Sequence, residues 1–205
     1  MRYASFVVGW LMTAAVFSQT QLLAQPMPVQ VHQPAPDFSV TDAYGKPLSL
    51  RDLRGKKIVF SFQRFVGCPI CNVRVHELAG AYDSLSRQNV ELIVVYESSA
   101  DNLRQYLADT PVPFRMVADP DAKLYALYGV GHSMGKMMRG MMHGAMQKAK
   151  AGGKLFKTKL KRDGTLSRIE ADFLINPDGT VATAHYDRYV GDDLPLTAIW
   201  TFAAQ

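Results

Sequence analysis

The pair Cys68 and Cys71 is the feature that most constrains what this chain can fold into. It follows an apolar run, Lys57 to Phe62, which predicts a buried central strand. It also flanks Pro69, which suits the first turn of a helix, where the N–H that proline lacks would be unpaired. A Cys-x-x-Cys motif between a buried strand and a helix, within alternating strands and helices, predicts a redox-active pair.

The predicted position of Cys68 at a helix start favours its thiolate. Unpaired backbone N–H groups and the positive end of the helix dipole face a sulfur at that place. Arg64 adds a positive charge nearby. We therefore expect a lowered pKa for Cys68. Cys71, one turn further along, would then attack a mixed disulfide or sulfenic acid formed on Cys68. The opposite assignment, in which Cys71 attacks first, stays open.

Other interpretations of the two cysteines are also open. A disulfide across two residues closes too small a loop to constrain the unfolded chain strongly, which argues against a structural bridge. The thiols could be buried and inert. They could also form half of a zinc site, which would need two further ligands. His132 and His185 are the candidates for those ligands.

The remaining pattern predicts an α/β fold with one mixed sheet. Strand and helix patterns alternate first and an antiparallel pair comes last, which implies helices on both faces of the sheet. The predicted strands are at 37–40, 91–96 and 114–117, followed by a hairpin of 173–175 and 181–185. The predicted helices run from 69 to about 88 and from 119 to about 129. A further helix is capped by Ser99, and a last one by Asp192 or Asp193.

The first 24 residues have the order of a secretion signal, because Arg2 precedes an apolar run from Ala4 to Phe17. The run is short for a membrane span, and an uncleaved N-terminal anchor is the alternative. We expect an exported, periplasmic protein. A flexible lead-in rich in Gln and Pro would occupy 25–35, and a single domain would occupy 36–205.

The segment 131–162 interrupts the pattern as a basic insertion rich in methionine. It holds nine Lys or Arg and no Asp or Glu. Because the whole chain has 23 basic and 18 acidic residues, the remainder is net acidic. The basic charge is therefore local, and we predict no nucleic-acid partner.

The methionines of this insertion predict a helix with one thioether-lined face. Residues 134, 138, 142 and 146 would share that face, with 137 and 141 beside them. Three interpretations are open. The helix could lie over the fold with methionine filling a groove. It could be a docking surface for a partner protein or a membrane. It could also bind Cu(I), for which a thioether is a soft ligand.

Several motifs together resemble one known family. They are Arg64-x-x-Gly67-Cys68-Pro69-x-Cys71, Pro36-Asp37-Phe38, Leu53-Arg54-Gly55-Lys56, Ala171 to Gly179, and His185-Tyr186 ahead of Gly191 to Pro195. Over about 34–200, apart from 131–162, the chain resembles the peroxiredoxin-like branch of the alkyl hydroperoxide reductase/thiol-specific antioxidant family. The resemblance implies a thioredoxin fold. It also implies thiol-dependent reduction of peroxides or exchange of protein disulfides, with an outside thiol reductant and no cofactor.

The chain departs from that family at two places. If Cys71 were the peroxide-attacking cysteine, Cys68 would stand at the family's Thr position and Arg64 at its Pro position. Thioredoxins keep a proline facing the thiol pair, whereas the corresponding 169–172 here has none. The resemblance also makes Arg168 a candidate second active-site cation, and an ordinary exposed arginine at a strand end is the alternative.

The predicted catalytic set is therefore Cys68, Cys71, Arg64 and Arg168, with no metal. The main functional hypothesis is a thiol-dependent redox enzyme. The alternative is a copper-handling protein that uses the cysteine pair and the Met- and His-rich insertion.

Overall fold

A five-stranded mixed sheet forms the centre of the structure, a computed structural model that describes residues 27–155 and 162–205. The strands are β1 Ser39–Thr41, β2 Pro47–Ser49, β3 Lys57–Phe62, β4 Val90–Tyr96, β5 Arg115–Ala118, β6 Ala171–Ile175 and β7 Val181–Tyr186. The order in the sheet is β5-β4-β3-β6-β7. β3, β4 and β5 run parallel, and β6 and β7 are each antiparallel to their neighbours. β1 and β2 form a separate antiparallel pair. The predicted mixed sheet is confirmed.

Helices cover both faces of this sheet, as predicted. They are α1 Pro69–Ser86, α2 Ala100–Asp109, α3 Lys123–Leu127, α4 Met134–Met142, α5 Ala145–Gly153 and α6 Leu196–Ala203. Successive residues of β3 point to opposite faces. Val59 belongs to the apolar layer of α1, α2 and α6, and Ile58 and Phe60 belong to the layer of α3. No helix in the described ranges is long and apolar enough to cross a bilayer.

Two predicted helix starts are confirmed by their capping contacts. Cys68 is the N-cap of α1, and its Sγ accepts a hydrogen bond from the Cys71 backbone N–H at 3.3 Å. Ser99 is the N-cap of α2, and its Oγ accepts from the Asn102 N–H at 3.2 Å. A side chain that accepts from the first turn satisfies a donor that the helix leaves unpaired, which fixes where each helix begins.

The start of α6 differs from the prediction. Its N-cap is Pro195, and no side chain caps it, so neither Asp192 nor Asp193 has the predicted role. The Asp192 carboxylate is instead held by Arg188 at 2.8 Å, and that of Asp193 pairs with Lys148. Ion pairing with nearby cations therefore takes both carboxylates away from the helix terminus.

The described part of the predicted lead-in, residues 27–35, lies along β7. The His32 N–H donates to the Val181 carbonyl at 2.8 Å, and the Ala35 N–H donates to the Gly179 carbonyl at 2.9 Å. This segment therefore covers the start of an edge strand. Residues 1–26, including the predicted signal segment at 1–24, lie outside the described residues.

In its described part, residues 131–155 and 162, the Met-rich insertion forms two helices, so the prediction that one helix carries all six methionines is wrong. α4 ends at Met142, and Gly144 then adopts φ +88°, a left-handed conformation that glycine accommodates readily. Met146 consequently lies on α5. Five of the six methionines are exposed: Met134, Met138, Met141, Met142 and Met146. These five therefore do not fill a groove, and the docking and Cu(I) interpretations stay predictions.

Candidate active site

A disulfide between Cys68 and Cys71 lies where β3 gives way to α1. The two Cα atoms are 5.4 Å apart, and each cysteine is only 1% exposed. The first turn of α1 fixes the bridge, because Cys68 is its N-cap and the Asn72 N–H donates to the Cys68 carbonyl at 3.2 Å. The two sulfurs are placed so that one can resolve a bond formed on the other without rearrangement of the backbone.

Arg64 lies beside the Cys68 sulfur, as predicted. Its Nη1 is 3.7 Å from Cys68 Sγ, and its Nη2 donates to the Leu166 carbonyl, which holds the guanidinium in place. Burial lowers the pKa of Arg64, and the charge of Glu170 opposes that effect. Because the ordinary pKa of arginine lies above 12, the group stays charged at neutral pH. It therefore places a positive charge next to the Cys68 sulfur.

Glu170 is a third group at the disulfide and was not predicted from the sequence. Its Oε1 lies 3.7 Å from Cys71 Sγ, and the residue is 2% exposed. Burial raises the pKa of Glu170 to about 8, although the Arg64 charge works in the opposite direction. Most of this carboxyl is therefore neutral at pH 7. An acidic residue between the apolar Ile169 and Ala171, shortly before a predicted strand, is the signal that could have revealed it.

Arg168 is buried, and its side chain bonds to Glu97 and to the Val130 carbonyl. It is 7% exposed, so the expectation of an ordinary exposed arginine is wrong. Its Nε donates to Glu97 at 2.7 Å, and its guanidinium lies 4.7 Å from the centroid of the Tyr125 ring. The Glu97 N–H in turn donates to the Arg64 carbonyl at 3.0 Å. Arg168 thus supports the strand end that positions Arg64, and a direct catalytic role for Arg168 stays a prediction.

The surroundings of the disulfide differ from the zinc site considered above. Within 27–155 and 162–205, the residues that could hold a metal ion are Cys68, Cys71 and Glu170, whose ligand atoms lie within 4.8 Å of one another. His132 and His185, the expected additional ligands, are not part of this group. His185 Nε2 lies 2.6 Å from the Asp192 carbonyl oxygen. Because the two sulfurs are bonded to each other, a metal could use them only after reduction.

Further charged side chains are buried on and near α1 and β6, the elements next to the disulfide. Arg74 on α1 donates to Asp172 on β6 at 2.8 Å, and both side chains are almost wholly buried. Asp187 is fully buried, and burial together with the Glu170 carboxylate raises its pKa well above the ordinary value. At Glu170 itself, the charge of Asp193 adds to the effect of burial in raising the pKa.

Comparisons with known proteins find a matching family and similar sequences. Residues 31–184 match the model of the AhpC/TSA family. Peroxiredoxin 2 of Caldanaerobacter subterraneus subsp. tengcongensis is 30% identical over 110 residues, which are 49% of this chain and 48% of the relative. The thiol-disulfide oxidoreductase ResA of Bacillus anthracis is 28% identical over 104 residues, which are 50% of this chain and 60% of the relative. The matched segments thus span about half of each of these two relatives.

The fold also matches a solved structure. Peroxidoxin BcpB from Mycobacterium tuberculosis superposes with a TM-score of 0.60 at 13% sequence identity, covering 86% of this chain and 95% of that one. At this level of identity the likeness concerns the fold alone. It confirms the predicted thioredoxin-like arrangement of a mixed sheet with helices on both faces.

Proposed function

Because the chain belongs to the AhpC/TSA family, we propose that it is a thiol-dependent oxidoreductase in which Cys68 attacks the oxidant and Cys71 resolves the product. The observation that carries this proposal is the unequal setting of the two sulfurs. The Arg64 guanidinium lies 3.7 Å from the Cys68 sulfur, and the Glu170 carboxyl lies 3.7 Å from the Cys71 sulfur. A positive neighbour and a helix N-terminus favour the thiolate, which is the nucleophile, at Cys68.

The first step follows from that thiolate. With a hydroperoxide, the Cys68 sulfur attacks the terminal oxygen and the O–O bond breaks. Cys68 becomes a sulfenic acid, and the alkoxide takes up a proton and leaves as an alcohol. With a disulfide substrate, the same sulfur forms a mixed disulfide and a thiolate leaves. A hydroperoxide receives both electrons in this first step, whereas a disulfide substrate is fully reduced only when the second step releases its other thiol.

The second step needs a proton to leave Cys71. The Cys71 sulfur attacks the Cys68 sulfur, the Cys68–Cys71 bond forms, and water or the second substrate thiol departs. Glu170 is the described carboxyl that contacts Cys71, so its ionised form is the acceptor for that proton. On reduction of the disulfide by an outside thiol, the neutral carboxyl returns a proton to Cys71.

If Glu170 accepts the proton from Cys71, the variant Glu170→Gln should close the disulfide more slowly. We expect disulfide closure to slow by about 10²-fold or more, since a positioned acid–base group typically contributes 10²–10⁴-fold. In the unchanged protein, closure should accelerate as the pH rises through about 8, because Glu170 accepts a proton only when ionised. The variant should lose that rise. Rapid quenching of the reduced protein after one equivalent of hydrogen peroxide measures the step.

Glu170→Asp is the matched control, because it keeps the carboxyl and moves it by one methylene. It should retain part of the rate and a pH-dependent rise. A Gln variant with the pH profile of the unchanged protein would show that Glu170 has no part in proton transfer at Cys71.

We also propose that the protein acts outside the cytoplasm. The support is the charged-then-apolar order of residues 1–24, which is typical of a secretion signal. In an exported setting the Cys68–Cys71 pair would need a thiol reductant available in that compartment.

A further inference from the structure

Helix α5 lies directly on the first turn of α1, the turn that carries the cysteine pair. The contact is made at Gly152, which is buried. A Cβ at this position would overlap the Pro69 carbonyl oxygen and would lie 3.1 Å from Val73 Cγ2. Only a residue without a side chain permits so close an approach of the two helix backbones. Pro69 lies between the two cysteines, so α5 packs against the backbone of the segment that joins them.

The helices α4 and α5, here called the cover, are fastened to the loop 187–193. Lys148 on α5 pairs with Asp193 and donates to the Gly191 carbonyl at 3.3 Å. Lys136 on α4 donates to the Asp187 carbonyl at 2.8 Å. Both helices of the cover are therefore bonded to the same loop.

Apolar and aromatic contacts reinforce the same attachment. The His143 ring stacks on Tyr189 with centroids 4.4 Å apart. A Cβ at Gly140 would overlap Val190, so α4 also approaches the loop as closely as glycine allows. On the other side of the loop, a Cβ at Gly191 would lie 3.2 Å from Ile70 Cγ2, next to Cys71. The loop thus links the cover to the Cys-x-x-Cys segment.

The active site beneath this segment of α1 has almost no open surface. Cys68 and Cys71 are each 1% exposed although the chemistry of the pair requires contact with an oxidant and a reductant. The cysteines of another protein are attached to its polypeptide backbone. Such a bulky substrate needs an open surface around Cys68 before its sulfur can be attacked in line. A hydroperoxide or a low-molecular-weight thiol needs only a narrow path, which small local motions provide.

We propose that the cover restricts the Cys68–Cys71 pair to small oxidants and small thiol reductants, and that Gly152 is the residue that sets this specificity. This inference rests on the function proposed above and names its substrate class. A small hydroperoxide takes two electrons from the dithiol and becomes an alcohol and water. Two molecules of a low-molecular-weight thiol then return the electrons, and they leave joined as their own disulfide.

The test compares two reductants on the oxidised full chain. Dithiothreitol represents a small reductant and reduced thioredoxin represents a protein dithiol, with loss of the Cys68–Cys71 disulfide followed by mass spectrometry after alkylation. We expect dithiothreitol to reduce the unchanged protein readily and thioredoxin to be slower by about tenfold or more, because the protein reductant must wait for local opening of the cover.

Gly152→Leu should lift α5 away from Pro69 and raise the rate with thioredoxin by about tenfold, with a smaller effect on dithiothreitol. Gly153→Leu is the matched control, because a Cβ at Gly153 meets no atom within 4 Å and the helix-forming change is the same. It should behave like the unchanged protein. Lys136→Met removes the hydrogen bond to the Asp187 carbonyl without adding a bulky side chain. It should also raise the rate of reduction by thioredoxin.

Equal rates of the unchanged protein with thioredoxin and dithiothreitol would overturn the proposal. Equal effects of Gly152→Leu and Gly153→Leu would overturn it as well. A different failure points to the redox function itself. If dithiothreitol does not open the disulfide in any variant, the cysteine pair is not redox-active and both proposals fall.

Discussion

Cys68→Ser is expected to lower peroxide turnover by roughly 10³-fold or more, because it removes the nucleophile on which every later step depends. Cys71→Ser is expected to have a different effect. Its Cys68 can still attack, but no neighbouring thiol is left to displace the product, so an adduct should accumulate on Cys68. Steady-state peroxide consumption measures the first effect, and the intact mass of the treated protein measures the second.

The two variants are matched controls for each other, since both remove the disulfide and its contribution to stability. An adduct on Cys71 in the Cys68→Ser protein, with no adduct in the Cys71→Ser protein, would reverse the assignment of roles. Unchanged turnover in both proteins would show that the pair is inert. The structure favours Cys68 as the attacking residue, because the N-cap position and the Arg64 guanidinium both favour its thiolate.

Arg74→Met is expected to lower the free energy of unfolding by roughly 3–5 kcal/mol, the usual cost of breaking a buried ion pair. Arg74 and Asp172 are 1% and 2% exposed, and the pair joins α1 to β6 at 2.8 Å. Without Arg74, the Asp172 carboxylate keeps the Leu194 N–H as a donor but loses its compensating charge. Urea unfolding of the oxidised protein measures the change.

Lys56→Met is the control, because Lys56 forms an ion pair of similar length, 2.8 Å to Glu91, at a site where its side chain is 46% exposed. An ion pair open to solvent contributes about 1 kcal/mol or less. Adding Asp172→Asn to Arg74→Met should recover part of the lost stability, since it removes the uncompensated charge. Equal, small losses in Arg74→Met and Lys56→Met would contradict the account of this pair.

The part of the site that could be predicted from the sequence is local in the chain. The apolar run Lys57–Phe62 predicted the strand. Pro69 directly after Cys68 predicted the start of the helix and the position of the Cys68 sulfur at its N-cap. Arg64 was predicted for the same reason, because it lies only four positions before Cys68 in the segment between β3 and α1.

The part that could not be predicted depends on strand pairing across long separations. Glu170 reaches Cys71 because β6 pairs antiparallel with β3, which sets Ala171 opposite Phe62. Nothing in the neighbourhood of Glu170 in the sequence indicates that register. The buried state of Arg168 has the same origin, since its partner Glu97 lies 71 residues earlier.

One interpretation of the Met-rich segment, a helix lying over the fold, predicted where the cover lies but not how it packs. Met137 and Ala145 contact the core, and the closest approaches are made at Gly140 and Gly152, where backbones come near each other. A hydrophobic pattern does not report such contacts. The left-handed Gly144, which divides the insertion into α4 and α5, could have been recognised as a helix terminator.

The most direct test of the central claim is the rate at which the reduced protein loses thiols to hydrogen peroxide at neutral pH. The proposed mechanism predicts a rate at least about tenfold above that of free cysteine, because only a few per cent of free cysteine is thiolate at pH 7 and the Arg64 guanidinium favours that form at Cys68. It also predicts that both thiols disappear together and that the protein loses the mass of two hydrogen atoms as the disulfide forms. A rate equal to that of free cysteine, or a gain of oxygen without closure of the Cys68–Cys71 bridge, would contradict it.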